Sequence, residues 1–129
     1  MKKYNFEVEQ IIDAIKTWLV SGELNSDVLS DHFEFSSPFW KKANRVEFIK
    51  QFGDPRAYQE TALSKITHFD PVIILKDRNE KYFTIVLQYH TKNDSHVYET
   101  VFGIIENGLL IGLRSIYDLE ETKQALQLD

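Results

Sequence analysis

Residues 82–91, YFTIVLQYHT, and residues 96–106, HVYETVFGIIE, decide the fold class of this chain. Both are long runs of aromatic and β-branched residues, which favour β-strands. The four residues between them, 92–95, have the composition of a hairpin loop, so the two strands are predicted to pair antiparallel. A second hairpin turn, Asn107-Gly108, leads into a last apolar strand. The second half of the chain is therefore predicted to be a meandering antiparallel sheet.

The segment before these strands continues the β pattern. Residues 62–69 and 71–76 favour two shorter strands on either side of Asp70-Pro71. The polar residues 76–79 that follow favour a turn. The predicted sheet therefore has about five strands.

The first part of the chain follows a helical period instead. Residues 6–21 are predicted to form a helix, with Asn5 as its N-cap and Gly22 as its stop. Its apolar side chains recur at i, i+3, i+4 and i+7, which places them on one face of the helix. These apolar residues are Val8, Ile11, Ile12, Ile15, Trp18 and Leu19.

Two further helices and a brief strand are predicted before the sheet. A short helix begins at Ser26 or Asp27, and a strand follows over residues 33–37. Asn44 and Glu47 have the spacing of a capping box, which opens a third helix over residues 44–53. The residues of that helix expected to face inward are Val46, Phe48, Ile49 and Phe52. Helices followed by an antiparallel sheet indicate an α+β domain, with three N-terminal helices packed on one face of the sheet.

The composition fits one folded domain. The chain has 129 residues, of which 43% are hydrophobic and 27% charged, close to the averages for globular proteins. We treat residues 1–129 as a single domain because no linker, repeat or charge run divides them. The absence of cysteine excludes Cys-ligated zinc, iron–sulfur clusters and a thiol nucleophile. The net charge of −5 disfavours nucleic acid and anionic membranes as partners.

Targeting and cofactor motifs are not found in the sequence. The N-terminus lacks the uninterrupted apolar run of a secretory signal, so we expect a cytoplasmic protein without a membrane span. The glycine patterns of nucleotide-binding loops do not occur, so we expect no cofactor. Lys41, Lys42 and Arg45, beside Phe39 and Trp40, form one small basic cluster, which is interpreted as a solvated loop rather than a nucleic-acid site.

The last strand resembles that of a known family. Residues 108–118, GLLIGLRSIYD, are similar to the closing strand of the NTF2-like superfamily, particularly its SnoaL-like and ketosteroid-isomerase-like branches. The long first helix, residues 31–38 and the capped helix over residues 44–53 follow in the order and spacing of that family, so the resemblance covers essentially the whole chain. It implies a cone-shaped, cystatin-like domain, in which a curved sheet wraps around helices and leaves a cavity, often in a homodimer formed across the outer sheet face.

Alternation along the strands assigns residues to the two faces of the predicted sheet. A loop at 92–95 would pair Tyr89 with Tyr98 and Leu87 with Thr100. The face towards the helices would then combine apolar side chains with hydroxyls, as ligand pockets do; the alternative is that its aromatic residues simply fill a core. The predicted pocket residues are Phe35, Ser37, Trp40, Tyr58, Leu87, Tyr89, Tyr98, Thr100 and Phe102. The predicted dimer face, on the opposite side, contains Val86, Gln88, Glu99 and Val101.

The resemblance does not extend to the catalytic residues of the steroid-isomerase branch. In that branch a carboxylate before the proline that follows the short strand acts as general base, and Ser37 occupies this position. A tyrosine of the first helix corresponds to Ile15, and a protonated aspartate of the penultimate strand corresponds to Thr100. Because none of the three is kept, the sequence offers no well-placed buried carboxyl for proton abstraction, and the catalytic residues are unknown.

The histidines have both possible functional roles and simpler structural ones. The chain contains His32, His68, His90 and His96. No pair has the spacing of a metal site, so we expect no bound metal. His32 is a possible proton-transfer group, and the alternative is a histidine whose ring is satisfied by the backbone. His90 is expected on the outer face in a weak ion pair with Glu99, and His96, paired with Thr91, is expected on the inner side.

Two functions remain open from the sequence. The first is binding of a small, mostly apolar molecule by a cytoplasmic homodimer, with the hydroxyls of Tyr89, Tyr98 and Thr100 orienting the ligand. Isomerase, cyclase or dehydratase chemistry is implied by the resemblance alone, so whether the protein is an enzyme stays open. The second is a non-catalytic dimeric interaction module whose outer sheet face is the working surface, with Arg114 in a dimer contact or a surface salt bridge.

Overall fold

The computed structural model describes residues 5–125 apart from 39, 41, 55, 57–65 and 92–95, and for residues 66–69, 71, 72 and 96 it describes the backbone alone. The helices are α1 (Val8–Ser21), α2 (Arg45–Phe52) and α3 (Leu119–Ala125). The strands are β1 (Leu29–Ser36), β2 (Ala43–Asn44), β3 (Ile66–Lys76), β4 (Tyr82–Thr91), β5 (His96–Glu106) and β6 (Leu109–Ile116). No helix in this part of the chain is both long enough and apolar enough to cross a membrane.

The strands form one six-stranded sheet in the order β2-β1-β6-β5-β4-β3. Neighbouring strands run antiparallel except β1 and β6, which run parallel. The predicted α+β class, with helices packed on a curved sheet, is confirmed. The sheet itself is mixed rather than purely antiparallel, because the chain returns to place its last strand beside its first.

Helix α1 confirms the predicted first helix, with a different N-cap. Glu7 caps the helix in a capping box with Gln10, whose Oε1 accepts the Glu7 N–H at 2.8 Å. The helix ends at Gly22, which has a φ of 79° and donates its N–H to the Trp18 carbonyl at 2.8 Å. Glycine reaches this left-handed conformation without steric cost. All six predicted apolar residues of α1 are buried.

Helix α2 begins with the predicted capping box. The Asn44 side chain accepts the Glu47 N–H at 2.9 Å, and the Glu47 carboxylate accepts the Asn44 N–H at 3.0 Å. Phe48 is buried and Ile49 packs against the core, as predicted. Val46 is 73% exposed, so its predicted inward position is wrong. At about 100° per residue it lies on the side of the helix opposite Phe48.

The segment between α1 and α2 is more extended than predicted. The expected second helix is only a short 3-10 turn, Ser26–Val28, capped by the Asn25 side chain, which accepts the Asp27 N–H at 3.2 Å. Strand β1 begins directly afterwards at Leu29, before the predicted start at residue 33. Pairing with β6, which places Leu29 opposite Leu110, holds this segment in the sheet.

The two strands predicted around Asp70-Pro71 are one continuous strand, β3. Residues 62–65 of the prediction lie outside the described residues. The β3–β4 register shifts between Pro71 and Ile73. Proline lacks an N–H and is tolerated at such irregularities and on edge strands, and β3 lies at one edge of the sheet.

Two tight turns are confirmed. In the first, Asp77 Oδ1 accepts the N–H groups of Lys81 and Tyr82 at 2.7 and 2.9 Å. The hydrogen bond from Tyr82 is the largest cause that lowers the pKa of Asp77 below its usual range. In the second, Asn107 and Gly108 both have positive φ, 54° and 74°, as a two-residue hairpin turn requires.

The pairing of β4 with β5 differs from the predicted register by one residue. Tyr89 lies opposite Val97, whereas the prediction placed it opposite Tyr98. A one-residue slip moves every side chain of a strand to the other face of the sheet. The predicted faces are therefore right for β4 and wrong for β5. Residues 92–95, the predicted loop, lie outside the described residues.

An aromatic cluster joins α1, α2 and β1. The ring of Phe48 lies 5.3 Å from Trp18, 5.0 Å from Phe33, 4.9 Å from Phe35 and 5.1 Å from Phe52, measured between centroids. These tilted and edge-on arrangements are the favourable ones for aromatic pairs. The cluster fixes the two helices against the sheet.

Candidate functional site

Strands β4 and β5 have two different faces. We call the face that carries the buried side chains and packs against the helices the inner face, and the opposite one the outer face. The inner face carries Phe83, Ile85, Leu87, Tyr89 and Thr91 of β4, and Val97, Glu99, Val101, Gly103 and Ile105 of β5. The outer face carries Thr84, Val86, Gln88 and His90 of β4, and Tyr98, Thr100, Phe102 and Ile104 of β5.

Glu99 is a carboxyl in the middle of the inner face. It lies opposite Leu87 of β4 and is only 6% exposed. Val97 and Val101, two residues away on either side, are fully buried and hold this stretch of β5 against the core. The hydroxyl of Ser115, on β6, donates a hydrogen bond to the carboxyl.

Burial dominates the electrostatics of Glu99. It raises the pKa of the Glu99 carboxyl to about 7, and the hydrogen bond with Ser115 only partly opposes this shift. Among the residues that the structure describes, no Lys, Arg or His forms an ion pair with Glu99. Near neutral pH the carboxyl therefore exists in both its neutral and its charged form, within an apolar surface.

Tyr89 is the second polar group of the inner face. It is 2% exposed, and its hydroxyl lies 3.4 Å from Oγ1 of Thr122 in α3. Burial raises the pKa of the Tyr89 hydroxyl, and the Glu99 carboxyl adds to this rise, so Tyr89 stays protonated. Asp118 accepts the Glu121 N–H at 2.8 Å and so starts α3 where Thr122 reaches the tyrosine.

The structure separates the predicted pocket residues into two groups. Leu87 and Tyr89 lie on the inner face, as predicted. Tyr98, Thr100 and Phe102 lie on the outer face because of the register shift, and Tyr98 is 60% exposed. The predicted hydroxyl trio is therefore not assembled.

The remaining predicted pocket residues do not meet Glu99. Phe35 belongs to the aromatic cluster, with Trp40 packed at 6.3 Å from it between ring centroids. Ser37 organises the following turn, since its Oγ accepts the Trp40 N–H at 3.0 Å. Tyr58 lies outside the described residues.

Several single-residue expectations change with the register. Of the predicted dimer face, Val86 and Gln88 lie on the outer face, but Glu99 and Val101 lie on the inner one. His32, the possible proton-transfer group, has an exposed side chain on β1, between the exposed Asp31 and the buried Phe33.

Two polar contacts on the outer face also bear on the predictions. His90 forms its contact with Asp70, at 2.9 Å between Nε2 and Oδ2, rather than with Glu99. By backbone register, His96 lies opposite His90, whereas the prediction paired it with Thr91. Arg114 is exposed as expected, and its Nε donates to Ser36 Oγ at 3.2 Å.

The sequence indicated no well-placed buried carboxyl, and the structure shows one buried carboxyl, that of Glu99. The resemblance placed the acidic position of the penultimate strand at Thr100, which faces outward, while Glu99 one residue earlier faces the core. The sequence contains one signal for this position, although the opposite parity of β5 is also apolar. Val97 and Val101 share the parity of Glu99, and two β-branched residues at i−2 and i+2 favour the buried face.

Two grooves are lined by described residues, and neither borders Glu99. One, of about 550 Å³, has apolar and basic side chains in its lining, among them Phe102, Ile104, Ile111, Lys42 and Arg114. The other, of about 730 Å³, lies beside the Asn107-Gly108 turn. Among the side chains that the structure describes, no group of three or more His, Asp or Glu is placed to hold a metal ion.

Comparison with known proteins identifies the fold. No protein-family profile and no curated protein matches this sequence. A protein from Catenulispora acidiphila with a ketosteroid isomerase-like fold, solved in complex with trimethylamine, is similar at a TM-score of 0.67 and 10% identity, over 98% of this chain and 96% of that one.

Two further solved structures agree. An NTF2-like protein of unknown function from Cytophaga hutchinsonii has a TM-score of 0.58 at 11% identity, over 92% of this chain and 96% of that one. TerC, co-crystallized with polyporic acid, has a TM-score of 0.70 at 11% identity, over 93% of this chain and 98% of that one. The NTF2-like fold that the resemblance implied is confirmed.

Proposed function

We propose that this chain, which has the NTF2-like fold, binds a small and mostly apolar molecule between the inner face and the helices, with the carboxyl of Glu99 as the polar group that orients it. Tyr89 and Ser115 are the neighbouring hydroxyls in this proposal. The surrounding surface is aliphatic and aromatic, which is the usual chemistry of a small-molecule site.

The observation that carries the proposal is the burial of Glu99. Taking a carboxyl out of water is costly unless hydrogen bonds or an opposite charge compensate it. Here the described partner is one hydroxyl, that of Ser115. An apolar side chain would fill this position without the free-energy cost of burying a carboxyl, as Val97 and Val101 do on either side of it. Carboxyls with raised pKa values cluster at binding and catalytic sites.

Two kinds of interaction are open to Glu99. As a neutral carboxyl it donates a hydrogen bond to a carbonyl or hydroxyl oxygen of the ligand. As a carboxylate it accepts one, or takes a proton from the bound molecule. With a pKa of about 7, the neutral and the charged form of Glu99 are about equally populated near neutral pH. A group in this state can both donate and accept a proton. Other proteins of this fold were crystallised with small molecules, an amine and polyporic acid, which supports a small-molecule ligand.

A thermal-shift screen tests the proposal with neutral phenols, cyclic ketones and tertiary amines as probes. We expect members of one class to raise the Tm of the wild-type protein. Leu87→Trp, which fills the inner face beside Glu99, should abolish that increase. Thr100→Trp, on the outer face of the neighbouring strand, is the matched control and should preserve it.

Glu99→Gln then tests the role of the carboxyl. The glutamine has the same shape but does not ionise, so the Tm increase should shrink and lose its dependence on pH. Either of two results would contradict the proposed site. In the first, no probe raises the Tm of the wild type; in the second, the probes change the Tm of Leu87→Trp and of Thr100→Trp equally.

A second candidate function is self-association through the outer face. Tyr98 and Ile116 are 60% and 52% exposed, and Phe102 and Ile104 line the groove on the same face. Exposed apolar patches of this kind favour protein contacts. Sedimentation velocity should give a dimer for the wild type and a monomer for Tyr98→Glu, whereas Glu120→Gln, at an exposed position of α3, should remain dimeric. A wild-type monomer at high concentration would exclude this function.

A further inference from the structure

Six of the residues that line the groove of about 550 Å³ form two rows across the sheet, from β5 over β6 to β1. One row consists of Phe102, Arg114 and Ser36, and the next of Ile104, Gly112 and Glu34. Residues directly opposite each other on neighbouring strands share a face of the sheet. Because Phe102 and Ile104 lie on the outer face, both rows belong to it. The volume of the groove is within the range of about 300–1,000 Å³ that is usual for small-molecule sites.

Gly112 leaves a gap in the middle of the second row, between Ile104 and Glu34. A Cβ atom at this position would lie 3.3 Å from Cδ1 of Ile104, so a larger side chain would occupy the space beside the isoleucine. In the first row, the ring of Phe102 is stacked on that of Tyr82, at 5.8 Å between centroids. This contact holds the phenylalanine ring in place. The two rows therefore combine an open space with fixed apolar side chains.

The charged side chains that line the groove carry a net positive charge, although the whole chain has a net charge of −5. Lys42 pairs with Glu34 at 3.4 Å between Nζ and Oε1. Nε of Arg114 donates a hydrogen bond to Ser36 Oγ at 3.2 Å, which orients the guanidinium. Among the residues that the structure describes, no carboxylate forms an ion pair with Arg114. The terminal N–H groups of this arginine are therefore available to an anion in the groove.

We propose that this groove binds a small apolar carboxylate, whose charged end contacts the guanidinium of Arg114. The apolar part of the ligand would lie on Phe102 and Ile104, over the space that Gly112 leaves open. A guanidinium presents its N–H groups in a planar fork that matches the two oxygens of a carboxylate. The apolar side chains beside it favour an organic acid over a free inorganic anion. The site is separate from Glu99, which lies on the inner face.

Calorimetric titration with cinnamate tests this inference, and cinnamyl alcohol, which has the same skeleton without the charge, is the matched probe. We expect saturable binding of one cinnamate per chain, and binding of the alcohol that is weaker by about tenfold or more. Arg114→Gln should weaken cinnamate binding by about the same factor, because it removes the charged hydrogen-bond donor. Arg78→Gln makes the same change at an exposed arginine in the turn between β3 and β4, and it should leave the affinity unchanged.

Gly112→Val tests the apolar part of the groove. The valine side chain should occupy the space beside Ile104 and abolish cinnamate binding. The Tm of this variant without cinnamate, compared with that of the wild type, reports any loss of fold. If Gly112→Val folds normally and binds cinnamate as the wild type does, the inference is wrong. If it does not fold, Arg114→Gln, at an exposed position, decides the test.

Two more variants separate this site from the functions proposed above. Leu87→Trp, which fills the inner face, should leave cinnamate binding unchanged, and loss of binding would overturn the inference by placing the probe beside Glu99. Tyr98→Glu, designed to prevent self-association, should bind cinnamate at least as tightly as the wild type, because Tyr98 is not among the described residues that line the groove.

Three other results would also overturn the inference. The first is no saturable binding of cinnamate to either the wild type or Tyr98→Glu. The second is equal affinity of the wild type for cinnamate and for cinnamyl alcohol. The third is equal weakening of cinnamate binding by Arg78→Gln and Arg114→Gln.

Discussion

On β5 the inner face buries a carboxyl and the outer face exposes an aromatic ring, which is the reverse of the usual arrangement. The inner face holds Glu99 between two valines, while the outer face presents Tyr98. A carboxyl is thus 6% exposed and an aromatic ring one residue away is 60% exposed. On β4 the same two faces separate in the usual manner, with Leu87 inside. Strand β6, next to β5, shows the same reversal, with Ser115 6% exposed and Ile116 52% exposed. The two strands thus bring the Ser115 hydroxyl and the Glu99 carboxyl together on the buried side.

The largest expected effect contrasts an inner with an outer substitution on β5. Val101→Asp introduces an uncompensated charge at a fully buried position and should lower the free energy of unfolding by about 3 to 5 kcal/mol. Thr100→Asp, on the outer face, should change it by about 0.5 kcal/mol. Urea unfolding measures both variants. Equal losses would mean that the two faces of β5 are not distinct.

The next effect is the pH dependence that Glu99 imposes. Because the folded protein raises the pKa of this carboxyl from 4.5 to about 7, the folded state binds the proton more tightly than the unfolded state does. Stability therefore decreases as the pH rises through this interval, by about 3 kcal/mol at most.

Glu99→Gln should remove this component, so the variant gains stability relative to the wild type between pH 5 and pH 8. The measurement is urea unfolding of both proteins across that range. Glu34 is an exposed glutamate paired with Lys42 at 3.4 Å, and Glu34→Gln is the control. Its free energy of unfolding should show the same dependence on pH as that of the wild type. If the difference in free energy of unfolding between the wild type and Glu99→Gln is the same at every pH in this range, the burial of a titrating carboxyl is contradicted.

The smallest effect concerns two tyrosines on opposite faces. Tyr89→Phe removes the buried contact with Thr122 and should cost about 1 kcal/mol of unfolding free energy. Tyr98→Phe removes an exposed hydroxyl and should cost nothing measurable. A double-mutant cycle with Thr122→Val isolates the Tyr89–Thr122 contact. If Tyr98→Phe is the more harmful substitution, the assignment of faces is reversed.

The parts of the fold that were predicted correctly depend on local signals. Gly22 ends α1, Asn44 and Glu47 cap α2, and Asn107-Gly108 turns the last hairpin. Each of these acts within a few residues, so it can be recognised from spacing alone. The class of the fold follows from the same signals together with the alternating pattern of the strands.

The register of β5 was not predictable in the same way. Hydrophobic alternation sets register only where one face is clearly more apolar than the other. In β5 one parity offers Val97 and Val101 and the other offers Phe102 and Ile104, so either set suits a core. The choice then depended on an assumed loop length. The buried position of Glu99 was missed for this reason.

The parallel pairing of β1 with β6 has a consequence for how the chain acquires its structure. During synthesis β1 leaves the ribosome long before its partner β6 has been translated. Leu29 pairs with Leu110, and Ser36 pairs with Arg114, so the paired residues are far apart in the sequence. Contacts between such distant segments are slow to form. Folding is therefore completed only after translation reaches the C-terminal strand, and until then β1 is an unpaired edge open to chaperones or to premature aggregation.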